Sequence, residues 1–443
     1  MPQLSIASKE MKHLALPRPV AQPRLFFTSP GMRPYNRLAA SVIAVNAATG
    51  FALWDDISGS PPALSLAATI NFTLAVLIRR QHVVNGAFRL ATRARHGWPI
   101  NVRRALAKVY QIGGLHVGAA ISGACWHVLL TAFLTDRAVN GGADTPPLIV
   151  AYALTVLLAA MVATAMPRFR KRFHDTFEGF HRFGGWAATV LFWFQGLIPA
   201  YRASAPHGTL SALLNHPAVW LLALTTVSSA LPWLRLRKVA IDIERPSAHA
   251  ALVRFDYGVT PFCGSGMSIS RNPWMGWHAF ASIPTPGRTG YRMVISRAGD
   301  WTASFIDDAP SHVWVKGIPT CGVGHIAKLF DRVVFVATGS GIAPILAHLL
   351  ADYVPSHLVW VTRNPRETYG DHLVDEILAM QPGARIWDTD HDGRPDLLSM
   401  AYAAYVSFGA EAVICISNET LTWRVVHGLE SRNIPAFGAI WDS

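Results

Sequence analysis

The fold of the second half of this chain is decided by the stretch Val333-Val334-Phe335-Val336-Ala337-Thr338-Gly339-Ser340-Gly341-Ile342-Ala343-Pro344. An apolar, β-branched run stops at a Thr-Gly-x-Gly turn, and an apolar helical pattern continues to Asp352. Glycines let backbone N–H groups approach an anion, and the helix dipole favours negative charge at that end. The stretch therefore predicts a strand, a pyrophosphate-binding turn and a helix, although it is not the GxGxxG fingerprint.

Around this turn, strands and helices are predicted to alternate, which is typical of a parallel α/β domain. The predicted strands are 332–337, 357–362, 384–388 and 412–416, and the predicted helices are 342–352, 370–380 and 420–432. Before it, shorter alternating runs are separated by Gly and Pro clusters, which favours a small antiparallel β-barrel. These runs are 239–243, 251–255 and 291–296.

The first half of the chain has the composition of a membrane domain. The 443 residues are 51% hydrophobic and only 15% charged, with a mean hydropathy of +0.27. Six apolar segments are each roughly long enough to cross a bilayer core. They lie at 37–54, 64–78, 109–133, 147–166, 183–201 and 217–234. We therefore expect a six-span helical bundle embedded in membrane lipid.

The distribution of positive charge predicts the orientation of this bundle. Arginines and lysines crowd every second loop, at 79–108, 167–182 and 235–238. The opposite loops contain only Arg137 and Arg202. The positive-inside rule then places both termini in the cytoplasm, in a multi-pass protein of the plasma or inner membrane. The same rule accounts for the net charge of +12, so nucleic-acid binding is not predicted.

Neither a signal peptide nor a cysteine framework is indicated. Residues 1–36 combine basic residues with prolines and have no early apolar core, so we expect a cytoplasmic N-terminal arm. The four cysteines are far apart and form no CxxC pair. A structural zinc site or a disulfide framework is therefore not predicted.

Histidines within the apolar segments are candidate metal ligands, because polar groups inside a membrane are costly. His116 and His127 lie on the third segment, 11 positions apart and on one helical face. His181 opens the fifth segment, and the topology places it at the cytoplasmic side together with His116. Two such histidines can hold a haem iron axially. The alternative is that they only form hydrogen bonds within the bundle.

Five short stretches of the second half resemble, in sequence order, the ferredoxin-reductase superfamily. Besides the Thr338–Gly341 turn, they are Trp277-His278-Ala279-Phe280-Ala281-Ser282, Gly299-Asp300-Trp301-Thr302, Val315-Lys316-Gly317-Ile318-Pro319 and Gly393-Arg394-Pro395-Asp396. Behind a six-helix bundle, this order is similar to the ferric reductase and NADPH oxidase family. The nearest pattern is the subgroup of TmpA and TmpL transmembrane flavoproteins. Some of these carry an adenylation domain, which we do not expect in these 443 residues.

The resemblance implies an FAD site on the barrel. Phe280 would pack on the flavin, and Ser282, next to Ala281, would bond near its ring. His278 would contact a flavin phosphate, and Thr302 would donate to the pyrophosphate. Gly317 would lie in the turn that closes the barrel.

It also implies a nicotinamide nucleotide site on the α/β domain, formed by Thr338, Gly339, Ser340, Gly341 and Arg394. Cys415 falls where the family has a cysteine close to the nicotinamide and the flavin, although the glycine and proline that follow it in the family are absent. Trp441 matches a C-terminal aromatic that covers the flavin ring. Both are therefore expected to be catalytic residues.

In the membrane, the resemblance implies that His116 and His181 hold an inner haem. An outer haem is not expected, because Gln195 stands one haem step beyond His181 and His127 is left without a partner ligand.

The choice of nucleotide depends on Thr362-Arg363-Asn364, at the end of the second predicted α/β strand. An arginine there can pair with a 2′-phosphate, and no acidic residue occupies that turn to bind a free ribose hydroxyl. NADPH is therefore favoured over NADH.

These patterns predict four parts: an arm (1–36), a six-helix transmembrane domain (37–236), an FAD-binding β-barrel (237–330) and an NAD(P)H-binding α/β domain (331–443). The predicted activity is electron transfer from cytoplasmic NAD(P)H through FAD to a small-molecule or metal-chelate acceptor, with one b-type haem as an intermediate carrier. The alternative is a haem-free, membrane-anchored flavin reductase acting on a natural-product or quinone-like intermediate. A non-enzymatic sensor or transporter with a degenerate nucleotide fold is a third reading.

Overall fold

The computed structural model describes residues 15–20, 29–141, 145–204, 214–285 and 287–439. The chain divides into two compact units. The first, here called the helical unit, comprises Pro34–Val83 and Ile112–Leu234. The second, here called the sheet unit, comprises Met1–Arg33, Val84–Gln111 and Arg235–Ser443.

Six long helices form the described part of the helical unit. They are α1 (Pro34–Ala52), α2 (Pro61–Ile78), α3 (Gly113–Val139), α4 (Thr145–Ala165), α5 (His174–Ser204) and α6 (Pro217–Ala230). Among the described residues, four stretches are long and apolar enough to cross a membrane: Pro61–Ile78, Gly113–Val139, Pro146–Ala165 and Pro217–Arg235. The spans predicted on α1 and α5 do not reach that apolarity, because these helices carry polar and charged residues. Six spans therefore remain a prediction.

The helical unit has a small apolar core and several polar contacts between helices. Leu64, Leu130, Leu154, Phe192 and Leu222 meet in this core. Large apolar side chains elsewhere on these helices are exposed.

In the sheet unit, six antiparallel strands curl into a barrel. They are β1 (Arg237–Glu244), β2 (Ala250–Phe255), β3 (Ser265–Ser270), β4 (His278–Ala281), β5 (Tyr291–Ser296) and β6 (His312–Cys321), in the spatial order β4-β3-β6-β1-β2-β5. Ile283, just after β4, exchanges two backbone hydrogen bonds with Arg292 of β5, which closes the barrel. Its interior is filled by alternate apolar residues such as Val253, Phe255 and Met293. The predicted barrel is thus confirmed.

Five parallel strands follow, in the order β11-β10-β7-β8-β9. They are β7 (Val333–Thr338), β8 (Ser356–Thr362), β9 (Arg385–Asp388), β10 (Ala412–Ile416) and β11 (Ala436–Gly438). The helices associated with them are α8 (Ile342–Ala351), α9 (Pro365–Tyr369), α10 (Asp371–Met380), α11 (Thr389–Asp392), α12 (Leu397–Phe408) and α13 (Glu419–Glu430), while α7 (Asp300–Asp308) precedes β6. Helices cover both faces, which explains why β7 and β10 are continuous apolar runs rather than alternating ones.

The segment between α2 and α3 corrects the predicted domain boundaries. Residues Val84–Gln111, here called the inserted segment, pack into the sheet unit rather than into the helical unit. Phe88 is buried in the core of the α/β domain. The side chain of Asn85 donates to the carbonyl of Pro319 (2.8 Å) and accepts from the N–H of Cys321 (2.9 Å). Some of the basic residues that predicted the membrane orientation therefore have partners in the sheet unit, and the orientation remains a prediction.

Candidate functional site

The first of two candidate binding regions, here called the first half-site, lies on β4 and the turn after it. An aromatic stack forms there. The ring centroid of Trp301, on α7, lies 4.3 Å from that of His278 and 6.0 Å from that of Phe280. Phe280 is half-buried and Ala281 lies beside it on the same strand. Ser282 is fully buried, and its hydroxyl has no hydrogen-bond partner within the described residues. A buried hydroxyl without a partner is costly, so this position suits a bound polar group.

The start of α7 borders this half-site, but Thr302 has a different role from the predicted one. Its Oγ1 accepts hydrogen bonds from the N–H groups of Ala298 (2.9 Å) and Gly299 (3.1 Å) and donates to the carbonyl of Gly299 (3.0 Å). The hydroxyl therefore caps its own helix and is not set to donate to phosphate. The first N–H groups of a helix have no partner within that helix, and they can receive an anion.

Gly317 lies within β6 rather than in a turn that closes the barrel. Its φ of +75° accompanies a register shift between β3 and β6, so the strand bulges at this point. The neighbouring Lys316 places its Nζ 4.0 Å from the ring centroid of Trp277, which directly precedes β4. The glycine thus re-aims the strand next to the site.

The second half-site is the predicted dinucleotide turn, which connects β7 to α8. A Cβ on Gly341 would lie 2.1 Å from the carbonyl oxygen of Ile416, so only glycine fits this close approach to β10. The buried indole of Trp360 donates to the carbonyl of Gly339 (2.9 Å) and holds the turn from β8. Thr338 and Ser340 remain half-buried. A strand, a tight glycine turn and a helix start are present as predicted.

At the end of β10, the structure separates Cys415 from the turn. Cys415 is fully buried in the core beneath α12 and α13, and this burial raises the pKa of its thiol to about 12. Ser417, two residues later, places its Oγ 2.5 Å from the Oγ1 of Thr338. The side chain next to the dinucleotide turn is therefore that of Ser417, which the sequence analysis did not identify. The sequence did contain an indication: Asn418 caps α13, so β10 has to end before that residue.

The barrel meets the dinucleotide turn where β5 ends. The hydroxyl oxygens of Ser296, the last residue of β5, and Tyr369 lie 3.4 Å apart. The same phenol oxygen lies 3.5 Å from the place that a Cβ of Gly339 would occupy. Burial raises the pKa of Tyr369, so the phenol stays protonated as a hydrogen-bond donor. The barrel and the dinucleotide turn thus border one buried junction.

Two charged residues lie at the edge of the parallel sheet beyond this turn. Arg363 and Asp390 can influence whether NADPH or NADH is preferred. Arg363 follows β8 and is exposed; its Nε lies 3.3 Å from an oxygen of Asp390. Asn364 donates its backbone N–H to Asp388 (3.0 Å) and its side-chain amide to Asp390 (3.2 Å). The turn itself contains no acidic residue, but Asp388 at the end of β9 and Asp390 on α11 bond to it. Arg394 is exposed in the loop after α11.

In the helical unit, the structure brings together two of the three singled-out histidines. The ring centroids of His116 and His181 are 6.1 Å apart, and the Nδ1 of His116 lies 2.8 Å from the carbonyl oxygen of Ala75. His127 is fully buried and instead bonds through Nε2 to the carbonyl of Ala151 (3.0 Å). Trp441 lies outside the described residues.

A six-stranded antiparallel barrel followed by a five-stranded parallel sheet defines a class of fold. It is that of a ferredoxin-reductase-like module. A family model described as the C-terminal domain of adenylate-forming reductase 03009 matches residues 323–443.

Two similar curated proteins come from Coprinopsis cinerea. Adenylate-forming reductase 03009 is 43% identical over 414 residues, and adenylate-forming reductase 06235 is 42% identical over 413 residues. Each match covers 92% of this chain but 40% of the relative. The chain thus spans less than half the length of these relatives.

Similar solved structures cover 46% of this chain. A phthalate dioxygenase reductase has a TM-score of 0.36 at 18% identity over 67% of its length. A ferredoxin-NADP⁺ reductase from Neisseria gonorrhoeae with bound FAD and NADP has a TM-score of 0.37 at 12% identity, and the match covers 98% of its length. The ferredoxin-NADP⁺ reductase from Plasmodium falciparum has a TM-score of 0.38 at 11% identity, and the match covers 95% of its length. The fold assignment rests on the strand order of the chain itself.

Proposed function

We propose that the sheet unit transfers reducing equivalents from NAD(P)H to FAD, and from there to an acceptor in or across the membrane. The observation that carries this proposal is the junction of the barrel and the dinucleotide turn at Ser296 and Tyr369, whose hydroxyl oxygens lie 3.4 Å apart, with Gly339 beside them. Hydride transfer needs the two reacting rings in contact. A barrel that borders the dinucleotide turn supports such contact.

The residues of the barrel fit an FAD. Phe280 and Ala281 flank the ring position, the buried hydroxyl of Ser282 beside them has no partner within the described residues, and His278 lies beside the start of α7. Bound FAD supplies the capacity to accept a hydride and release its electrons singly. The protein's part is to hold the flavin, exclude water and present the nicotinamide. In this role the backbone N–H groups of α7, rather than the hydroxyl of Thr302, would receive the pyrophosphate.

For the nucleotide, the turn Thr338–Gly341 would hold the pyrophosphate, with Arg394 near the nicotinamide nucleotide. In this proposal the hydroxyl of Ser417, rather than the thiol of Cys415, lies closest to the bound nicotinamide nucleotide. NADPH remains the favoured donor because Arg363 is exposed and has a single carboxylate, Asp390, within ion-pair distance in the described region. A 2′-phosphate would compete with that carboxylate for the guanidinium.

The geometry of His116 and His181 supports one inner haem as part of this proposal. His116 and His181 would be the two residues that hold its iron, since their rings lie side by side with centroids 6.1 Å apart. The bond from His116 Nδ1 to the carbonyl of Ala75 leaves Nε2 for the metal, as is usual for metal-binding histidines. His127 is bonded elsewhere, which agrees with a single haem.

The alternative is a haem-free flavin reductase that acts on a quinone-like or natural-product intermediate at the membrane. Both relatives are named adenylate-forming reductases, and a reductase is what this alternative describes. In this reading the helical unit anchors the protein and admits the substrate. Cytoplasmic placement of the sheet unit belongs to both proposals.

An absorption spectrum of the detergent-purified full chain, before and after anaerobic addition of NADPH, tests the proposal. We expect a flavin band that bleaches on reduction. A Soret band that shifts on reduction and is lost in His116→Leu would support the inner haem. A bleaching flavin without that band would support the haem-free alternative. Protein that stays colourless after addition of FAD would contradict the proposed function.

A further inference from the structure

A cavity of about 570 Å³ lies between α1 and α3 of the helical unit. Its apolar wall includes Phe51 and Trp54 near the end of α1 and Trp126 on α3. This volume falls within the range of small-molecule sites, which are concave and mostly apolar with a few placed polar groups. Nothing in the electron-transfer proposal uses these residues.

The cavity has a polar floor within otherwise apolar helices. The Oδ1 of Asn46 accepts hydrogen bonds from the indole N–H of Trp126 (2.8 Å) and the side-chain amide of Asn71 (2.7 Å). One N–H of the Asn46 amide donates to the carbonyl of Val42 (2.9 Å). An amide nitrogen carries two hydrogens, so a second donor remains at the floor.

Ser122 provides an independent observation at the same place. This residue lines the cavity, is only 4% exposed, and its hydroxyl has no partner within the described residues. A serine on a helix can usually satisfy its hydroxyl by bonding to the preceding turn. Leaving it unsatisfied costs stability, which a hydrogen-bonding ligand would restore.

The volume of the cavity depends on residue 50 being a glycine, which has no side chain. A Cβ on Gly50 would lie 3.0 Å from the tip of the Trp126 ring, so any larger residue would enter the cavity. The only acidic residue that lines the cavity is Asp55, which is exposed at its rim. An anion would meet this carboxylate, whereas a neutral molecule would not.

We propose that this cavity binds a neutral, membrane-dissolved aromatic compound with a carbonyl or hydroxyl group, of the quinone or phenol type. The ring lies along Trp126, and its oxygen bonds to Asn46 and Ser122. The proposal goes beyond the reductase function, since it requires neither NAD(P)H nor FAD. The competing occupant is a lipid acyl chain, which would use the apolar wall but not the polar floor.

Cys125 offers a direct test because it lines the cavity and is exposed, whereas Cys263 and Cys321 are partly buried and Cys415 is buried. The full chain in lipid nanodiscs is alkylated with N-ethylmaleimide, and the Cys125 peptide is quantified by mass spectrometry. Decylubiquinone, whose ring is fully substituted, is the probe. At a concentration of about ten times its Kd, it should slow Cys125 alkylation about tenfold.

Asn46→Leu should raise the decylubiquinone concentration needed for protection about tenfold, as expected for one lost hydrogen bond of roughly 1.4 kcal/mol. Gly50→Leu should slow alkylation even without the probe, because it fills the space. Val45→Leu, at an exposed position of α1 outside the cavity, is the matched control and should behave as wild type. Equal protection by hexadecane would assign the cavity to lipid chains and overturn the proposal, as would no protection at all. NADPH-dependent flavin bleaching is measured separately, so failure here is distinguishable from failure of the proposed function.

Discussion

The guanidinium of Arg103 forms two hydrogen bonds with the carboxylate of Glu411, at 2.6 Å and 2.9 Å, and a third with the carbonyl of Leu329 at 2.9 Å. Arg103 belongs to the inserted segment, and Glu411 immediately precedes β10. The hydrogen bonds to Arg103 lower the pKa of Glu411 despite partial burial. The chain between two long apolar helices is thus part of the α/β domain, so the sheet unit is not contained in residues 235–443 alone.

Replacing Arg103 should destabilise the protein strongly. Its side chain is only 6% exposed, and Arg103→Met leaves a carboxylate without its partner, which costs about 3 kcal/mol. The measurement is the thermal unfolding midpoint of the full chain. Arg424→Met is the matched control, because the Arg424–Asp396 pair is exposed and should contribute little. Equal midpoints for the two variants would show that the Arg103 pair does not hold the segment in place.

Ser282→Ala should have opposite effects on stability and on flavin affinity. Removing a buried hydroxyl that has no partner should raise the stability of the FAD-free protein, whereas FAD affinity should fall about fivefold with the loss of one hydrogen bond of roughly 1 kcal/mol. Flavin titration followed by fluorescence measures the affinity. Ser270 is the control: its hydroxyl donates to backbone carbonyls within its own loop, so Ser270→Ala should lower stability and leave FAD affinity unchanged.

Arg363→Ala should reduce the preference for NADPH over NADH about tenfold, because one charge-assisted bond to the 2′-phosphate is lost. Asp390→Asn should increase the preference, since it releases Arg363 from its carboxylate. The ratio of kcat/KM for the two nucleotides is the measurement. Arg366 is also exposed but pairs with Asp371 and Asp375, so Arg366→Ala should not alter the ratio. If it does, the effect is one of general surface charge.

Substitutions of Cys415 and Ser417 should have different effects on the rate of flavin reduction, measured by stopped flow. Ser417→Ala removes the hydroxyl bonded to Thr338 and should slow hydride transfer. Cys415→Ala leaves a small cavity in a fully buried core and should lower the unfolding midpoint, with little effect on the rate. The reverse pattern would restore the original assignment of Cys415 as the catalytic residue.

Acidification should destabilise the sheet unit through two buried histidines. Burial lowers the pKa of His348 to about 3 and that of His325 to about 4, from an ordinary value near 6.5. Below pH 6.5 the unfolded chain therefore binds protons that the folded chain does not, so stability falls progressively as the pH drops from about 6.5 towards 3. His348→Gln should flatten this slope between about pH 7 and pH 5 in thermal unfolding, and exposed His391→Gln should not.

Local periodicity and turn chemistry were enough to predict an antiparallel barrel followed by a parallel α/β domain, but not the place of the inserted segment. The run Val333–Thr338 becomes a central strand because it is apolar on both faces, and the glycines that follow become a tight turn because no side chain fits against β10. These are properties of neighbouring residues, and they hold wherever the rest of the chain lies.

Tertiary structure decided what depends on residues far apart in sequence. Charge patterning assigned Arg103 to a membrane-flanking loop, and only folding shows its partner to be Glu411, 308 residues away. Cys415 and Ser417 differ by two positions, and which of them reaches Thr338 depends on where β10 ends and how α13 is capped. Asp390 reaches Arg363 from α11, which follows the neighbouring strand β9. A sequence specifies which groups exist and how each segment folds locally, whereas the pairing of distant groups is set by packing.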